Sequence, residues 1–186
     1  MENKNYLKNF FLHLHTVNTH RFLVMMMCFR CGMIRQGLLH DLSKYSPIEF
    51  IPSVKYFQGN RSPISYEKDL FGYSPCWLHH KGRNKHHWEY WVDRTASGIE
   101  IISLKMPYRY MLESVIDRIS ASKVYGKKNY TQSSPYDFFV KSKEYSVINE
   151  TTRKQIEENL YYLKQHGEKQ ALRHYRQLYK EHKNDR

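Results

Sequence analysis

Helix-start and helix-stop residues divide this chain along its length, and they constrain its fold more than any other feature of the sequence. Gly32 can end a helix in the left-handed conformation, and Pro107 is suited to a first helical turn. Ser46, with Glu49 three residues later, has the form of a capping box. Glycine (8) and proline (6) are few among 186 residues, so the segments between them have room for helices. We predict a mainly α-helical fold with at most one or two short strands, in the isoleucine-rich run 98–106.

The predicted helices carry apolar residues at intervals of three and four, which indicates one buried face on each. They span residues 16–31, 35–44, 46–57, 65–80, 107–125, 134–140, 149–166 and 168–182. The predicted core face of the first helix consists of Phe22, Met25, Met26 and Phe29, and that of the fifth of Leu112, Val115, Ile116 and Ile119.

Six of the 11 histidines lie where a metal site would need them. Four fall within residues 79–87, one belongs to the His40-Asp41 dyad, and one is His20. Neutral imidazole is the commonest metal ligand in proteins, and a carboxylate adds the anionic oxygen that divalent cations favour. The alternative for the cluster is a solvated basic loop at 81–85 flanked by incidental histidines. Four imidazoles gathered without a metal would repel one another on protonation, so we favour ligands.

The string Leu38-Leu39-His40-Asp41-Leu42-Ser43-Lys44, with His20 upstream and Asp117 downstream, resembles the motifs of the HD superfamily of metal-dependent phosphohydrolases. In that superfamily a histidine on one helix, a His-Asp dyad on the next and a distant aspartate on a later helix hold the metal. The runs 38–56 and 77–91 resemble more closely an uncharacterised bacterial and phage family of HD-type proteins. The resemblance implies an HD-type helical bundle domain.

This resemblance covers roughly residues 15–140. We therefore predict an HD-type metal-binding helical domain over residues 1–140. Residues 141–186 are predicted to form a C-terminal helical extension that packs on the same domain.

The resemblance also implies a centre for one or two divalent cations, of Mn, Fe, Co, Ni or Zn. Asp41 could bridge two ions, which in two-metal sites lie about 3.5 to 4 Å apart. His80 and His86 are the first choices for the second ion, and their neighbours in each pair would support a ligand or contact the substrate. The predicted metal ligands are His20, His40, Asp41, His79, His80, His86, His87 and Asp117.

The reaction implied by the same resemblance is hydrolysis of a phosphate ester, such as a nucleotide, by metal-activated hydroxide. The predicted catalytic residues are Asp41, Lys44 and Glu113. Glu113, one turn from Asp117, could orient a ligand or act as a base, and a salt bridge to Arg109, four residues earlier, is an equally good assignment. Cationic side chains near a metal hold phosphate oxygens. The predicted phosphate contacts are Lys44, Lys81, Arg83 and Lys85.

The net charge of +12 predicts a surface that attracts anions such as phosphorylated metabolites, nucleotides or nucleic acid. The excess of positive charge is spread along the chain, whereas a basic arm that binds nucleic acid would concentrate it in one segment. Two alternatives to a phosphohydrolase stay open. Histidines and carboxylates also suit a di-iron oxygenase. A basic, aromatic-rich helical module could bind nucleic acid without catalysis.

Cysteine and hydropathy patterns indicate the cellular setting. Cys28, Cys31 and Cys76 are odd in number and lack a disulfide pattern, which fits a reducing cytoplasm. A zinc site joining them to His79 is disfavoured, because Cys28 falls in an apolar run where a buried thiol is usual. The most apolar stretch, 22–34, is too short to span a bilayer. We therefore expect a cytoplasmic protein without a membrane partner.

Overall fold

The computed structural model describes residues 5–142 and 147–185, and most of them are helical. The predicted mainly α-helical fold is therefore confirmed. Two short strands, Val92–Arg94 (β1) and Ile101–Ser103 (β2), pair antiparallel with Val92 opposite Ser103. The helices are α1 Tyr6–Cys31, α2 Ile34–Leu39, α3 Pro47–Lys55, α4 Pro63–Phe71, α5 Pro75–Lys81, α6 Tyr108–Gly126, α7 Ser134–Lys141 and α8 Glu150–His182.

Helix ends follow the predicted signals more closely than some helix starts do. Gly32 ends α1 with φ 81°, in the left-handed region that glycine occupies without strain. The start of α1 at Tyr6 lies well before the predicted one. The predicted helix over 65–80 is two helices, because Gly72 with φ 78° ends α4 and Pro75 begins α5.

The main hydrophobic core lies between α1, α6 and α8. Leu112 and Ile116 of α6 are fully buried, as predicted. A kink at Gly167 divides α8, and both halves contribute to this core, through Leu160 before the kink and Leu172 after it. Each such side chain contributes about 1.5–3 kcal/mol by leaving water. The C-terminal helix thus stabilises the same core as α1 and α6.

The buried face of α1 is not the predicted one. Phe22 is 57% exposed and Met26 is 43% exposed, whereas Val24 and Met27 are buried. Residues 22–29 are all apolar, so helical spacing does not select one face of α1 for burial. The packing of α1 against α6 and α8 selects it.

All three cysteines are free and buried. Burial raises the pKa of the Cys31 thiol to about 12 and that of the Cys76 thiol to about 11, so both stay protonated at neutral pH. Cys28 and Cys31 belong to the core, which agrees with the interpretation that disfavoured a zinc site. No described helix has both the length and the apolar character needed to cross a membrane.

Candidate metal centre

Segments that are distant in the sequence bring histidines and carboxylates to one buried place. His20 projects from α1, His80 from α5 and Asp117 from α6. The His40-Asp41 dyad follows α2. These side chains meet because α2, α3 and α6 pack against α1, and α5 packs against α3.

The dyad lies in a turn and not inside a helix. α2 ends at Leu39, and Asp41 has φ 53°, in the left-handed region that aspartate tolerates better than most residues. The predicted helix over 35–44 is therefore broken at the dyad, and a 3-10 turn follows. Neighbours in a regular helix diverge by about 100°. The turn instead lets both side chains face one space, with His40 Nε2 3.3 Å from Asp41 Oδ2.

The first ligand group consists of His20, His40, Asp41 and Asp117. One donor atom of each lies within 4.8 Å of the others. His20 Nε2 is 3.0 Å from Asp117 Oδ1 and 3.3 Å from His40 Nε2. All four are predicted ligands, and the Asp117 side chain, 17% exposed, is the most accessible of them. Two imidazoles and two carboxylates suit a divalent transition-metal ion.

The second ligand group consists of Asp41, His80, His86 and His87. His80 Nε2 lies 3.0 Å from His87 Nε2 and 3.3 Å from Asp41 Oδ1. Two ring nitrogens this close share either a proton or a cation. His86 Nε2 lies 3.5 Å from Asp41 Oδ1. His86 and His87 lie in a loop, as predicted, and His79 belongs to neither group.

Asp41 is shared by the two groups through different oxygens. Oδ2 lies 3.6 Å from His20 Nε2 and 3.3 Å from His40 Nε2, whereas Oδ1 faces His80 and His86. Asp41 is 1% exposed, and its Oδ1 and the Nε2 of His86 have no hydrogen-bond partner. Leaving a buried polar atom unpaired costs about 1–3 kcal/mol. A cation between these atoms would remove that cost, so the buried cluster is able to hold a metal ion.

The charges of this cluster are strongly coupled. Burial alone would raise the pKa of Asp41, but His40 and Lys44 outweigh it and hold that pKa well below its usual range. Burial alone would lower the pKa of His40, but Asp41 and Asp117 outweigh it and raise that pKa. The pKa of His87 is lowered by burial and by the neighbouring histidines, so its ring is neutral. Metal ligands are deprotonated, so a cation bound here would displace protons.

Glu113 connects one histidine of each group. Its Oε1 lies 2.9 Å from His40 Nδ1 and 3.2 Å from His86 Nδ1. A proton on each Nδ1 that is donated to this oxygen leaves the Nε2 lone pairs for a cation. Of the roles predicted for Glu113, these contacts agree with orienting ligands. Its carboxylate lies against the two histidines and forms no ion pair with Arg109 among the described residues. Its catalytic role stays a prediction.

Glu49 plays the corresponding role for the second group, although it was not predicted as a site residue. Its Oε2 accepts from His80 Nδ1 and its Oε1 from His79 Nδ1, both at 2.7 Å. The predicted capping box is wrong, since the Ser46 side chain makes no capping hydrogen bond and Glu49 is turned inward. Its neighbours in the sequence gave no signal, because side chains one residue apart on a helix point about 100° apart, and Ile48 is 57% exposed.

The four predicted phosphate contacts do not meet at one place. Lys44 Nζ lies 2.6 Å from Asp41 Oδ2. Burial would lower the pKa of Lys44, but Asp41 outweighs it and raises that pKa, so the ammonium stays charged. Arg83 and Lys85 line a separate cavity. Lys81 lines neither this cavity nor the one that contains Lys44.

Several cavities adjoin the centre, and two of them share no lining residue. The first, the histidine pocket, has a volume of about 170 Å³, and its lining includes His20, Lys44, His80, His87 and Asp117. The second, the basic recess, has a volume of about 300 Å³, and its lining includes Arg35, Arg83, Lys85, His86, Arg109 and Glu113.

His13 also lines the histidine pocket. It was not predicted as a site residue. It is 6% exposed, lies 5.1 and 5.8 Å from the ring centres of Phe50 and Phe57, and has no hydrogen-bond partner at Nδ1. Burial, assisted by the charge of Lys44, lowers the pKa of His13 to about 4. His13 is therefore a neutral polar group in the wall of the pocket at physiological pH.

Replacing His13 with glutamine is expected to reduce the loss of stability in acid. The unfolded chain protonates His13 near pH 6.5, whereas the folded chain resists protonation until about pH 4, so wild-type stability falls as pH decreases through that interval. The variant should lose about 2–3 kcal/mol less between about pH 7.5 and about pH 4.5. Denaturant unfolding at several pH values measures this. His15→Gln, at an exposed position of the same helix, is the control and should follow the wild type. Identical pH slopes for all three proteins would contradict the buried, neutral His13.

Comparison with known proteins gives a family and no named relative. No curated protein and no solved structure matches the chain. Residues 9–162 match a family described as a family of unknown function, DUF5662. The matched region contains every residue of both ligand groups, together with Glu49 and Glu113. The chain therefore belongs to the DUF5662 family.

Proposed function

We propose that this protein is an HD-type metal-dependent phosphohydrolase with a centre for two cations. The observation that carries the proposal is the position of Asp41, whose two oxygens face two separate ligand groups. A carboxylate that bridges two cations is typical of centres that hydrolyse phosphate esters. The dyad, the upstream His20 and the downstream Asp117, which carry the resemblance to the HD superfamily, all belong to the first group.

The histidine pocket is the proposed substrate site. Its wall contains ligands from both groups, so a phosphate bound there would lie beside the centre. When bound, the cations would supply a water of lowered pKa and neutralise charge on the phosphate. The Lys44 ammonium, which is 27% exposed and paired with Asp41, lines this pocket and would hold a non-bridging phosphate oxygen. Hydrolysis adds the water oxygen to phosphorus, breaks the bond to the leaving oxygen and returns a proton to that oxygen.

The size of the pocket favours a small substrate. Its volume of about 170 Å³ is below the 300–1,000 Å³ usual for drug-sized ligands. Its apolar wall includes Val17, Ile64 and Val124. A phosphate group with a small organic moiety fits these dimensions better than a nucleic-acid strand does.

Metal dependence and the role of Lys44 can be tested together. The protein, purified without a histidine tag, is analysed for metals, treated with chelator, reloaded with Mn, Fe, Co, Ni or Zn and assayed with phosphomonoesters and phosphodiesters. We expect hydrolysis to disappear on chelation and to return with at least one metal. Lys44→Ala should reduce turnover by roughly 10²–10³-fold, far more than it changes metal content. Lys55→Ala, at an exposed position on α3, is the matched control and should retain turnover.

The same assays separate the alternatives. Oxygen consumption by the iron-loaded protein, without phosphate release, would replace the proposal by a di-iron oxygenase, since both donor sets also suit iron. Chelation-resistant oligonucleotide binding that weakens steeply with salt, without hydrolysis, would replace it by a nucleic-acid-binding module. Wild-type turnover in Lys44→Ala would remove that residue from the substrate site.

A further inference from the structure

The basic recess collects cations from separate parts of the chain. Arg35 comes from α2, Arg83 and Lys85 from the loop after α5, and Arg109 from α6. All four side chains are exposed at its rim. They surround one concavity of about 300 Å³ and do not form a row along one helix.

The described residues leave the charge of these four cations without an opposite charge. In residues 5–142 and 147–185, none of them forms an ion pair with a carboxylate. Arg83 donates to the backbone carbonyl of His79, while Lys85 and Arg109 lie 5.8 and 5.0 Å from the ring centre of Tyr110. These contacts orient the side chains without cancelling their charge.

The floor of the recess carries one carboxylate, and the protein already engages it. This carboxylate, Glu113, is buried and accepts from His40 and His86. Gln36 adds a side-chain amide to the lining, whereas the Asn84 amide already donates to Ser43 Oγ and to the His80 carbonyl. Mutual repulsion among the rim cations falls when an anion binds between them.

We propose that the basic recess is a second anion-binding site, which takes a small phosphorylated ligand. Arginine forks match the geometry of phosphate oxygens, and three of the four cations are arginines. A recess of about 300 Å³ has the volume of a small-ligand pocket. The site is separate from the histidine pocket, and it does not depend on the proposed hydrolase activity, because no rim cation belongs to a ligand group.

Calorimetric titration of the whole 186-residue chain with inorganic phosphate at low ionic strength tests this site. We expect Arg35→Gln/Arg109→Gln to weaken recess binding by at least roughly tenfold, since two charge-assisted contacts are lost. Arg173→Gln/Arg176→Gln makes the same change in net charge at exposed positions of α8 and should bind as the wild type does. Circular dichroism should show unchanged helix content in both variants.

Asp41→Asn distinguishes this site from the metal centre. Phosphate binding that depends on the rim arginines should persist in Asp41→Asn, even if that variant holds no metal and even if the wild type proves to have no hydrolase activity. Wild-type affinity in Arg35→Gln/Arg109→Gln would overturn the proposal, as would an equal loss in the α8 control pair. Tighter binding of a single-stranded oligonucleotide than of phosphate, abolished by the same rim variant, would overturn the small-ligand assignment.

Discussion

Replacing Asp41 with asparagine is expected to remove metal from both ligand groups at once. Asparagine keeps the side-chain volume, but it is neutral and has one acceptor oxygen in place of two. It therefore cannot complete both the group of His40 and the group of His80. We expect affinity to fall by more than roughly 100-fold, beyond the 10–100-fold typical for losing an outer hydrogen-bond partner of a ligand. Elemental analysis after dialysis measures the remaining metal.

Variants that replace a ligand of only one group serve as controls for Asp41→Asn. Asp117→Asn should reduce metal in the first group, and His87→Gln should reduce it in the second. Because Asp41→Asn leaves Lys44 without its buried partner, helix content and unfolding free energy are measured in parallel. Full metal content in a folded Asp41→Asn protein would contradict the role of Asp41 as a shared ligand. Loss of metal from only one of the two groups would contradict it as well.

Glu113→Gln is expected to weaken metal binding in both groups by about 10–100-fold. The amide removes the charge that steadies the Nδ1–H groups of His40 and His86, one in each group. Glu49→Gln is the matched variant, because Glu49 contacts His80 of the second group and no member of the first. It should weaken the second group only. Competition with chelators of known affinity measures both effects.

The comparison between these two glutamate variants tests how the centre is built. Equal effects of Glu113→Gln and Glu49→Gln on both groups would indicate general destabilisation instead of support for particular histidines. Retention of full affinity in Glu113→Gln would mean that the His40 and His86 rings are held by their packing alone.

Local signals in the sequence predicted the helices well where one residue controls the backbone. Gly32, Pro107 and Asn149 act at their own positions, and the helices they were predicted to end or begin do so there in the structure. The buried face of α6 was also predicted correctly, because its apolar residues recur every three or four positions with polar residues between them. The face of α1 was not, because Phe22 and its neighbours are apolar all round the helix.

The sequence by itself determined the helical fold class and supplied the histidines and aspartates of the centre, since caps, helical spacing and residue types are local properties. Only the tertiary structure decided that Asp41 faces two groups, that Glu49 turns inward to His80, and that Arg83 lies in a recess apart from the histidine pocket. These outcomes depend on how α1, α3, α5 and α6 pack and on the turn at Asp41. Helical periodicity places a residue on a face of its own helix, and it contains no information on which distant segment that face will meet.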